Sequence, residues 1–338
     1  MHLLRSNFIA VLVAYTGVWL QPAHTFAQSP AVVPLPSWNS GPAKTAILEF
    51  VQKTTTAGSP EFVPQDERMA VFDNDGTLWP ENPVPFEVAF ALDTAKAMLA
   101  GNPKLQEQPA YKALASHDIA ALTENHLKLL LQLVMETHAG RTTTEFERSV
   151  ADWIATAKHP RYGKLYSECT YQPMQEVLKL LRAHGYKTYI VSGGGQEFMR
   201  VWAQQVYDVP PEQVIGSVLK TKYDLINDQP TLTILPELAL NDDKAGKPVA
   251  IHHLIGRTPV MCFGNSDGDQ EMLQFTTIGR QPSFGLIVHH TDAVREYAYD
   301  AQPKSSGKLI EALAAAPKRG WIVVDMQRDW KRIFSFTE

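Results

Sequence analysis

The stretch MAVFDNDGT at residues 69–77 decides the fold of this chain. Its four apolar residues predict a buried strand, and two carboxylates, Asp73 and Asp75, follow at positions i and i+2, on the same side of the sheet edge. In an open α/β sheet, ligands bind where the parallel strands end. One carboxylate can attack an electrophile while its neighbour transfers a proton, Gly76 permits a sharp turn, and Thr77 adds a hydroxyl. A polar corner in which an aspartate caps a turn is the plain alternative.

The order of apolar segments along the chain predicts an α/β protein. After residue 170, predicted helices alternate with strands at 186–191, 214–215, 260–263 and 284–288, with a small β excursion at 218–240 and an edge strand at 321–326. This alternation predicts a doubly wound, mainly parallel, Rossmann-like sheet. The roughly ninety residues after the first strand show only helical spacing. We therefore expect a core formed by residues 43–80 and 171–338, with a helical cap at 81–170 inserted after the first core strand.

The N-terminus has the features of an export signal. Arg5 precedes an apolar stretch at 8–20, and the small-x-small pattern at 25–27 is typical of a cleavage site. The apolar stretch is too short to span a membrane as a helix, so we interpret residues 1–27 as a signal peptide and expect export, to the bacterial periplasm. Residues 28–42 contain four prolines and predict an extended arm.

Composition and charge describe a globular protein with an acidic balance. The chain has 338 residues, of which 44% are hydrophobic and 20% charged. Removal of residues 1–27 takes away one arginine and no acid, which leaves 30 basic against 36 acidic residues, a net charge of −6. Nucleic-acid-binding proteins carry a basic surface instead, so we expect no nucleic-acid partner, and no membrane span in the mature chain. Because Cys262 lies in an apolar run, we expect Cys169 and Cys262 to be buried free thiols.

Two later motifs fall where strands end or helices begin. Ser192, Gly193 and Gly194 follow the strand at 186–191, where a hydroxyl and free backbone N–H groups can hold an oxyanion or a phosphate. Lys247 begins a helix with a proline directly after it, so its ammonium group can point into the same cleft. Each motif alone has an ordinary interpretation, a turn or a solvent-exposed lysine.

The loop GNSDGD at residues 264–269 follows the strand at 260–263. Its clustered carboxylate and amide oxygens suit a hard cation such as Mg²⁺, although Asp-Gly loops are also common turns. The candidate ligands in this loop are Asn265, Asp267 and Asp269. Together with the carboxylate pair, the serine and the lysine, the loop is much more specific evidence for a catalytic site than any of these motifs is alone.

In this order, the four motifs resemble the haloacid dehalogenase superfamily, and within it the phosphoserine-phosphatase-like branch, over residues 68 to about 290. The resemblance implies that Asp73 attacks phosphorus and forms an aspartyl-phosphate. It implies that Asp75 protonates the leaving oxygen and then deprotonates the hydrolytic water. Ser192, with the two glycines after it, and Lys247 are implied to bind the phosphoryl oxygens. The implied Mg²⁺ is held by the Asp73 carboxylate, the Asp75 backbone carbonyl and the acidic loop.

The resemblance leaves some roles open. Asn265 is a departure, since the family usually has aspartate directly after that glycine, and its amide oxygen brings one charge less to the cation. The division of roles among Asn265, Asp267 and Asp269 is therefore open. Lys244 lies three residues before Lys247, and the helix start and the following proline favour Lys247.

Some further residues have weaker signals. Glu81 lies eight residues after the nucleophile, near where related phosphatases place a substrate-contacting glutamate, and a loop carboxylate is the alternative. Thr77 joins the candidates for phosphate binding. The histidine pairs at 252–253 and 289–290 invite a zinc interpretation, but a structural role is favoured for both. Only His289, at the end of a core strand, is a faint candidate for supporting the site.

The sequence thus predicts an exported, Mg²⁺-dependent phosphatase that hydrolyses small organic phosphomonoesters through an aspartyl-phosphate. The second aspartate favours a phosphatase or a phosphomutase, because family dehalogenases act without it. A phosphotransferase or phosphomutase that uses the same intermediate is one alternative. A non-catalytic phosphate-binding protein is another, and the presence of nucleophile, acid/base, hydroxyl and lysine together argues against it.

Overall fold

The structure is a computed structural model that describes residues 34–116, 119–303 and 305–337. The predicted signal peptide and the first part of the predicted arm lie outside the described residues. The helices and strands, in chain order, are α1 Pro42–Thr55, β1 Met69–Phe72, α2 Phe86–Gly101, α3 Pro109–Ala115, α4 Ile119–His138, α5 Thr143–Ile154, α6 Gln172–Ala183, β2 Lys187–Gly195, α7 Gln196–Arg200, α8 Ala203–Tyr207, β3 Val214–Ile226, β4 Gln229–Leu240, α9 Gly246–Ala250, β5 Met261–Gly264, α10 Gln270–Thr277, β6 Phe284–His289, α11 Glu311–Arg319, β7 Ile322–Asp325 and α12 Met326–Asp329.

Within the described residues, seven strands form one sheet in the order β4-β3-β2-β1-β5-β6-β7. β1 lies in the middle because all four of its residues are apolar and buried, as is typical of parallel strands that are covered on both faces. Phe72 of β1 and Phe263 of β5 are register partners, and their rings stack with centroids 4.2 Å apart. Only β3 and β4 pair antiparallel. The predicted doubly wound, mainly parallel sheet is confirmed.

The register of the sheet brings the ends of three strands to one edge. Phe72, the last residue of β1, is paired with Ile190 of β2 on one side and with Phe263 of β5 on the other. The chain leaves β1 at Asp73 and leaves β5 into the loop 264–269, so both polar segments emerge side by side. This is the edge at which open α/β sheets bind ligands.

The helices α2, α3, α4 and α5 lie between β1 and β2 in the chain, where the helical cap was predicted. α5 begins with a capping box, in which the Thr142 side chain accepts the backbone N–H of Glu145 and the Glu145 carboxylate accepts that of Thr142. The outer part of these helices has an apolar cluster of its own around Tyr111. Phe86 and Phe90 belong instead to the large cluster that covers the sheet. Through Phe86 and Phe90, the cap therefore shares the apolar core that covers the sheet.

β3 and β4 form a long hairpin, which is more extensive than the sequence predicted. The predicted short strand at 214–215 and the β excursion at 218–240 are parts of the same hairpin, and β3 alone has 13 residues. Ile234 of β4 joins the hairpin to the cap, because its N–H donates to the Arg141 carbonyl at 3.0 Å and its carbonyl accepts from Gly140 at 2.9 Å.

The described part of the predicted arm is not extended. Residues 34–41 form turns, and the side chains of Leu35 and Trp38 are buried. Trp38 packs edge-to-face on Trp330 with 6.0 Å between ring centroids, and its indole N–H donates to the Pro173 carbonyl. The difference from the prediction has a physical reason: burial of two large apolar side chains outweighs the extended preference of the neighbouring prolines.

Both cysteines are free and buried, as predicted. Cys169 lies before α6, and Cys262 lies in β5. Burial raises the pKa of the Cys169 thiol to about 12, so this thiol stays protonated at neutral pH. None of the helices in the described part of the chain is both long and apolar enough to cross a bilayer.

Candidate active site

Three of the sequence motifs meet at Lys247. Its Nζ donates to Asp73 Oδ1 at 2.7 Å and to Asp269 Oδ1 at 2.6 Å. All three side chains are buried, and only 2% of Lys247 is exposed. Burial lowers the pKa of Lys247, but the two carboxylates outweigh burial and raise it above its usual value. Lys244 lies exposed on the rim of the same cleft. Of the two lysines, it is therefore Lys247 that lies beside the predicted nucleophile.

Asp269 holds the acidic loop in shape. While its Oδ1 accepts from Lys247, its Oδ2 accepts the backbone N–H groups of Asn265 at 2.9 Å and Ser266 at 3.0 Å. Both oxygens of Asp269 therefore have hydrogen-bond partners, and a role in metal binding stays a prediction. The loop is tight around this carboxylate, since a Cβ on Gly264 would lie 2.5 Å from Asp269 Cβ.

Asp267 caps the start of α11, a helix that the sequence analysis did not predict. Its Oδ1 accepts from the backbone N–H groups of Ile310 at 2.9 Å, Glu311 at 2.8 Å and Ala312 at 3.0 Å. A carboxylate at this point stabilises the helix through hydrogen bonds and through the helix dipole. Its predicted role in metal binding stays a prediction beside this structural one.

Asp75 lies next to an indole that the sequence analysis did not single out. The Trp79 indole N–H donates to Asp75 Oδ1. Burial raises the pKa of Asp75 to about 6, the Trp79 hydrogen bond opposes this, and the negative charge of Glu87 adds to it. A carboxyl group with a pKa near 6 can both donate and accept a proton near neutral pH, as a general acid and base must.

Ser192, Gly193 and Gly194 lie at the end of β2 and line the same cleft as the carboxylate pair. The Gly194 backbone N–H donates to Ser192 Oγ at 3.3 Å, which leaves the hydroxyl hydrogen of Ser192 able to donate to a ligand. A Cβ on Gly194 would lie 4.0 Å from Asp75 Oδ2, so the glycine loop and the second aspartate are neighbours. The structure thus brings these predicted site residues together.

Glu87 of the cap reaches the glycine loop. Its Oε2 accepts the backbone N–H of Gly195 at 2.6 Å, and its Oε1 lies 3.1 Å from His138 Nε2. His138 Nδ1 lies 2.6 Å from the Val134 carbonyl, which can only accept, so this nitrogen carries a proton. No sequence pattern identified Glu87, because its partners lie 108 and 51 residues away.

Asn265 is inserted between Glu81 and Thr77. Its Nδ2 donates to Glu81 Oε1 at 2.7 Å, and its Oδ1 accepts from Thr77 Oγ1 at 3.2 Å. Thr77 is fully buried, whereas Glu81 lines the cleft. Burial raises the pKa of Glu81 to about 7, and the Ser306 hydroxyl opposes this shift. Phosphate binding by Thr77 stays a prediction, since its hydroxyl is engaged with Asn265.

His290 supports the turn that follows the nucleophile, whereas its neighbour His289 was the faint candidate from sequence. The His290 Nε2–H donates to the Gly76 carbonyl at 2.7 Å, and Nδ1 lies 3.1 Å from Glu296 Oε2. His290 and Glu296 are buried, and the His290 ring stacks on Tyr299. His289 instead lies 3.7 Å from the half-exposed Asp300. The contact of His290 spans 214 positions, so no local pattern could reveal it.

The cleft that joins these groups has a volume of ≈ 640 Å³. Eight carboxylates and three lysines line it, namely Asp73, Asp75, Glu81, Glu87, Asp243, Asp267, Glu271, Glu311, Lys244, Lys247 and Lys308. An excess of negative charge attracts cations and repels anions. A phosphate ester therefore needs local positive charge to enter, beyond that of the buried lysine.

The oxygen donors around Asp73 fit a hard cation. Two buried carboxylates share the single charge of Lys247, and burial raises the pKa of Asp73 to about 8, with Asp269 adding to this. A cation beside Asp73 would lower this pKa. The described residues contain no group of three His, Cys, Asp or Glu side chains placed to hold a metal, so a cation here would also need backbone or amide oxygens. The sequence prediction names the Asp75 backbone carbonyl and Asn265 Oδ1 for this, and the role of both stays a prediction, since Asn265 Oδ1 already accepts from Thr77.

Fold and site together define a doubly wound α/β protein with a lysine-paired carboxylate at the edge of its sheet. The family model of the haloacid dehalogenase-like hydrolases matches residues 70–274, more than half of the chain. This chain belongs to that family, and the predicted superfamily is confirmed. A comparison with curated protein sequences gave no match.

The chain is similar to solved structures at low sequence identity. A conserved protein of unknown function from Anaerococcus prevotii DSM 20548 has a TM-score of 0.50 at 15% identity, over 79% of this chain and 96% of that one. A protein of unknown function from Bordetella pertussis Tohama I has a TM-score of 0.48 at 14% identity, over 77% and 99%. A phosphoserine phosphohydrolase-like protein from Francisella tularensis subsp. tularensis SCHU S4 has a TM-score of 0.38 at 16% identity, over 73% and 98%.

Proposed function

We propose that this hydrolase is a Mg²⁺-dependent phosphatase of the phosphoserine-phosphatase-like branch that acts on small organic phosphomonoesters. One observation carries the proposal: the buried contact of Lys247 with Asp73, which lies in one cleft with Asp75 and Ser192. The proposed nucleophile, acid/base and phosphate-binding groups come from the ends of two strands and from one helix. Phosphoryl transfer needs such positioning and charge neutralisation more than it needs other chemistry.

The proposed reaction has two steps. A carboxylate oxygen of Asp73 attacks phosphorus, the ester P–O bond breaks, and Asp75 gives its proton to the leaving alkoxide. Asp75 then takes a proton from water, which attacks the aspartyl-phosphate and releases inorganic phosphate with Asp73 restored. Lys247, the Ser192 hydroxyl and the glycine N–H groups donate to the phosphoryl oxygens as negative charge develops on them.

A bound cation would be held by the Asp73 carboxylate, the Asp75 backbone carbonyl and the Asn265 amide oxygen. Mg²⁺ at this place supplies positive charge that lets an anionic nucleophile approach an anionic phosphate. The acidic lining of the cleft supports this part of the proposal, because Lys247 alone is already shared between two carboxylates.

The substrate is proposed to be a small phosphorylated alcohol. The cap wall of the cleft contributes Val88, Leu131 and Val134, which suit an organic leaving group of modest size. Export remains a prediction from the N-terminal sequence. If it holds, phosphoserine is a doubtful substrate, since it is a cytoplasmic metabolite.

The first experiment is hydrolysis of a generic aryl phosphate by the purified chain. We expect activity that chelation removes and Mg²⁺ restores, and its loss by more than about a hundred-fold in Asp73→Asn, which keeps the shape but removes the nucleophile. Asp228→Asn, the same chemical change at the exposed turn of the β3–β4 hairpin, is the matched control and should retain full activity. Full activity in Asp73→Asn would refute the proposal.

A further inference from the structure

The two glycines after Ser192 form a bulge between β2 and β3. In the register of these strands, Ser192 pairs with the residue directly before Ser217, and Gly195 pairs with Ser217 itself. Gly193 and Gly194 are two extra residues of β2 between these pairs, and we call them the bulge. Bulges bend a strand and redirect its side chains, and they are frequent beside functional sites. This bulge lines the cleft together with Ser192.

The bulge lies directly against β3 because Gly216 has no side chain. A Cβ at position 216 would lie 2.5 Å from the Gly194 carbonyl oxygen and 2.6 Å from Met199 Cε, which is too close for any residue but glycine. Gly216 therefore permits a close approach of the two backbones. The next residue of β3, Ser217, lies within hydrogen-bonding distance of the bulge.

The Ser217 hydroxyl joins the bulge to the chain segment that precedes Lys247. Its Oγ lies 2.9 Å from the Gly193 carbonyl oxygen, which can only accept, so the hydroxyl hydrogen is donated there. The same Oγ accepts the backbone N–H of Asp242 at 3.1 Å. The hydroxyl is thus held from two sides. Asp242 lies five residues before Lys247, so one hydroxyl links two segments to which phosphate binding is assigned in the proposed function.

The peptide group between Gly193 and Gly194 carries this orientation on to Ser192. The peptide is trans and planar, so its C=O and N–H bonds point in opposite directions. Because Ser217 holds the Gly193 carbonyl, the Gly194 N–H points away from Ser217, and it donates to Ser192 Oγ at 3.3 Å. The Ser192 oxygen accepts this bond, which leaves its hydrogen able to donate to a ligand in the cleft.

We infer that Ser217 is a positioning residue for the hydroxyl of Ser192. Every hydrogen bond of the chain runs in one direction, from the Asp242 N–H through Ser217 and the bulge to Ser192, which lines the cleft. Hydrogen bonds in such a chain polarise one another, which strengthens the last donor. Charged oxygens such as those of a phosphoryl group are the acceptors that gain most from a strong donor. The inference rests on the phosphate-binding role of Ser192 in the proposed function.

The test measures the binding of inorganic phosphate by isothermal titration calorimetry, with Mg²⁺ present and without an ester. Ser217→Ala removes the hydroxyl, and we expect a dissociation constant about five-fold higher, as for the loss of one hydrogen bond. Ser217→Thr keeps the hydroxyl and should bind within about two-fold of the unchanged protein. Thr221→Val, the control, removes an exposed hydroxyl from the same strand and should also stay within about two-fold. Equal affinities of Ser217→Ala and the unchanged protein overturn the inference.

A double variant separates positioning through Ser192 from an effect on the fold alone. Ser192→Ala removes the donor itself and should weaken phosphate binding about ten-fold. If Ser217 acts through that hydroxyl, Ser217→Ala has nothing to position in this background, and the double variant should bind within about two-fold of Ser192→Ala. A merely structural role for Ser217 would instead multiply the two factors, to about fifty-fold. That result overturns the inference.

Two further comparisons keep the test decisive. If Ser217→Ala does not fold, Ser217→Val and Ser217→Thr have the same shape and differ in the hydroxyl, so equal phosphate affinities of these two variants overturn the inference. Hydrolysis of an aryl phosphate is measured separately. A protein that binds phosphate in the expected order of variants but hydrolyses no ester refutes the proposed function and leaves the role of Ser217 standing. A protein that does not bind phosphate refutes both.

Discussion

The two walls of the cleft are built in different ways. On the core wall, which we define as Asp73, Lys247 and Asp269, every side chain is buried and joined to the next by hydrogen bonds of 2.6 to 2.7 Å. On the cap wall, which we define as Val88, Leu131 and Val134, the side chains are apolar, and 56% of Leu131 is exposed. The core wall is organised before a ligand arrives, as electrostatic catalysis requires. We expect the core wall to determine the chemistry and the cap wall to determine which ester fits.

The largest effect should follow from removal of the buried cation of the core wall. Lys247→Met leaves Asp73 and Asp269 buried without a counter-charge, and breaking such a buried pair costs about 3–5 kcal/mol. Urea unfolding measures the loss of stability, and hydrolysis should vanish with it. Lys244→Met, three residues earlier on the exposed rim, is the control and should cost less than about 0.5 kcal/mol. A loss below about 1 kcal/mol in Lys247→Met would show that the core wall is not organised by this lysine.

The second prediction separates two adjacent histidines. His290→Ala removes the donor to the Gly76 carbonyl and loosens the turn after the nucleophile, and a misplacement of about 1 Å can cost a hundred-fold in rate. We therefore expect kcat for an aryl phosphate to fall by about this factor while KM changes little. His289→Ala, whose side chain lies near Asp300, should leave both constants unchanged. Equal effects of the two substitutions would contradict a positioning role for His290.

The parts of the fold that the sequence predicted correctly are those that local patterns determine. β1 could be predicted because four consecutive apolar residues that lead into a polar turn are typical of a strand covered on both faces. Lys247 was favoured over Lys244 by a helix start and a proline, and the structure places Lys247 in the centre. The mainly parallel, doubly wound character of the sheet followed from the alternation of helices and strands along the chain.

The parts that could not be predicted depend on contacts between distant residues. Asn265 meets Glu81 across 184 positions, and only tertiary packing brings them together. The sequence showed that Asn265 was unusual but could not show which side chains contact it. Trp38 likewise reaches its hydrogen-bond partner Pro173 across 135 positions, so the arm was predicted to be extended from its prolines alone.

A third, smaller effect concerns pH and another carboxylate near the core wall. Asp242 is fully buried, and the backbone N–H of Ser192 is near enough to its carboxylate to favour the ionised form, although it makes no hydrogen bond of good geometry. Burial raises its pKa to about 7 from 3.8, although the charge of Lys247 opposes this. The folded protein then keeps a proton that the unfolded chain releases, so this group lowers stability as pH rises from about 4 to 7.

Asp242→Asn should remove this loss of stability with rising pH, because the amide does not ionise. We expect the variant to exceed the unchanged protein in unfolding free energy by about 1–2 kcal/mol near pH 8 and to equal it near pH 4. Urea unfolding at both pH values measures the difference. A variant that is less stable at the higher pH would show that the ionised Asp242 is stabilised in the folded state.

The smallest effect should come from the contact between cap and glycine loop. Glu87→Gln keeps an oxygen for the Gly195 N–H but removes the charge opposite His138, and a hydrogen bond to a neutral group is weaker by about 1 kcal/mol. We expect KM to rise about three- to five-fold with kcat nearly unchanged, since the nucleophile is untouched and the charge of Glu87 affects the pKa of Asp75 less than burial and the Trp79 hydrogen bond do. Hydrogen exchange of the Gly195 amide should accelerate at the same time. Glu147→Gln, an exposed position on α5, should change neither quantity. A fall in kcat as large as that of His290→Ala would mean that Glu87 belongs with the core wall in function, and the contrast between the two walls would fail.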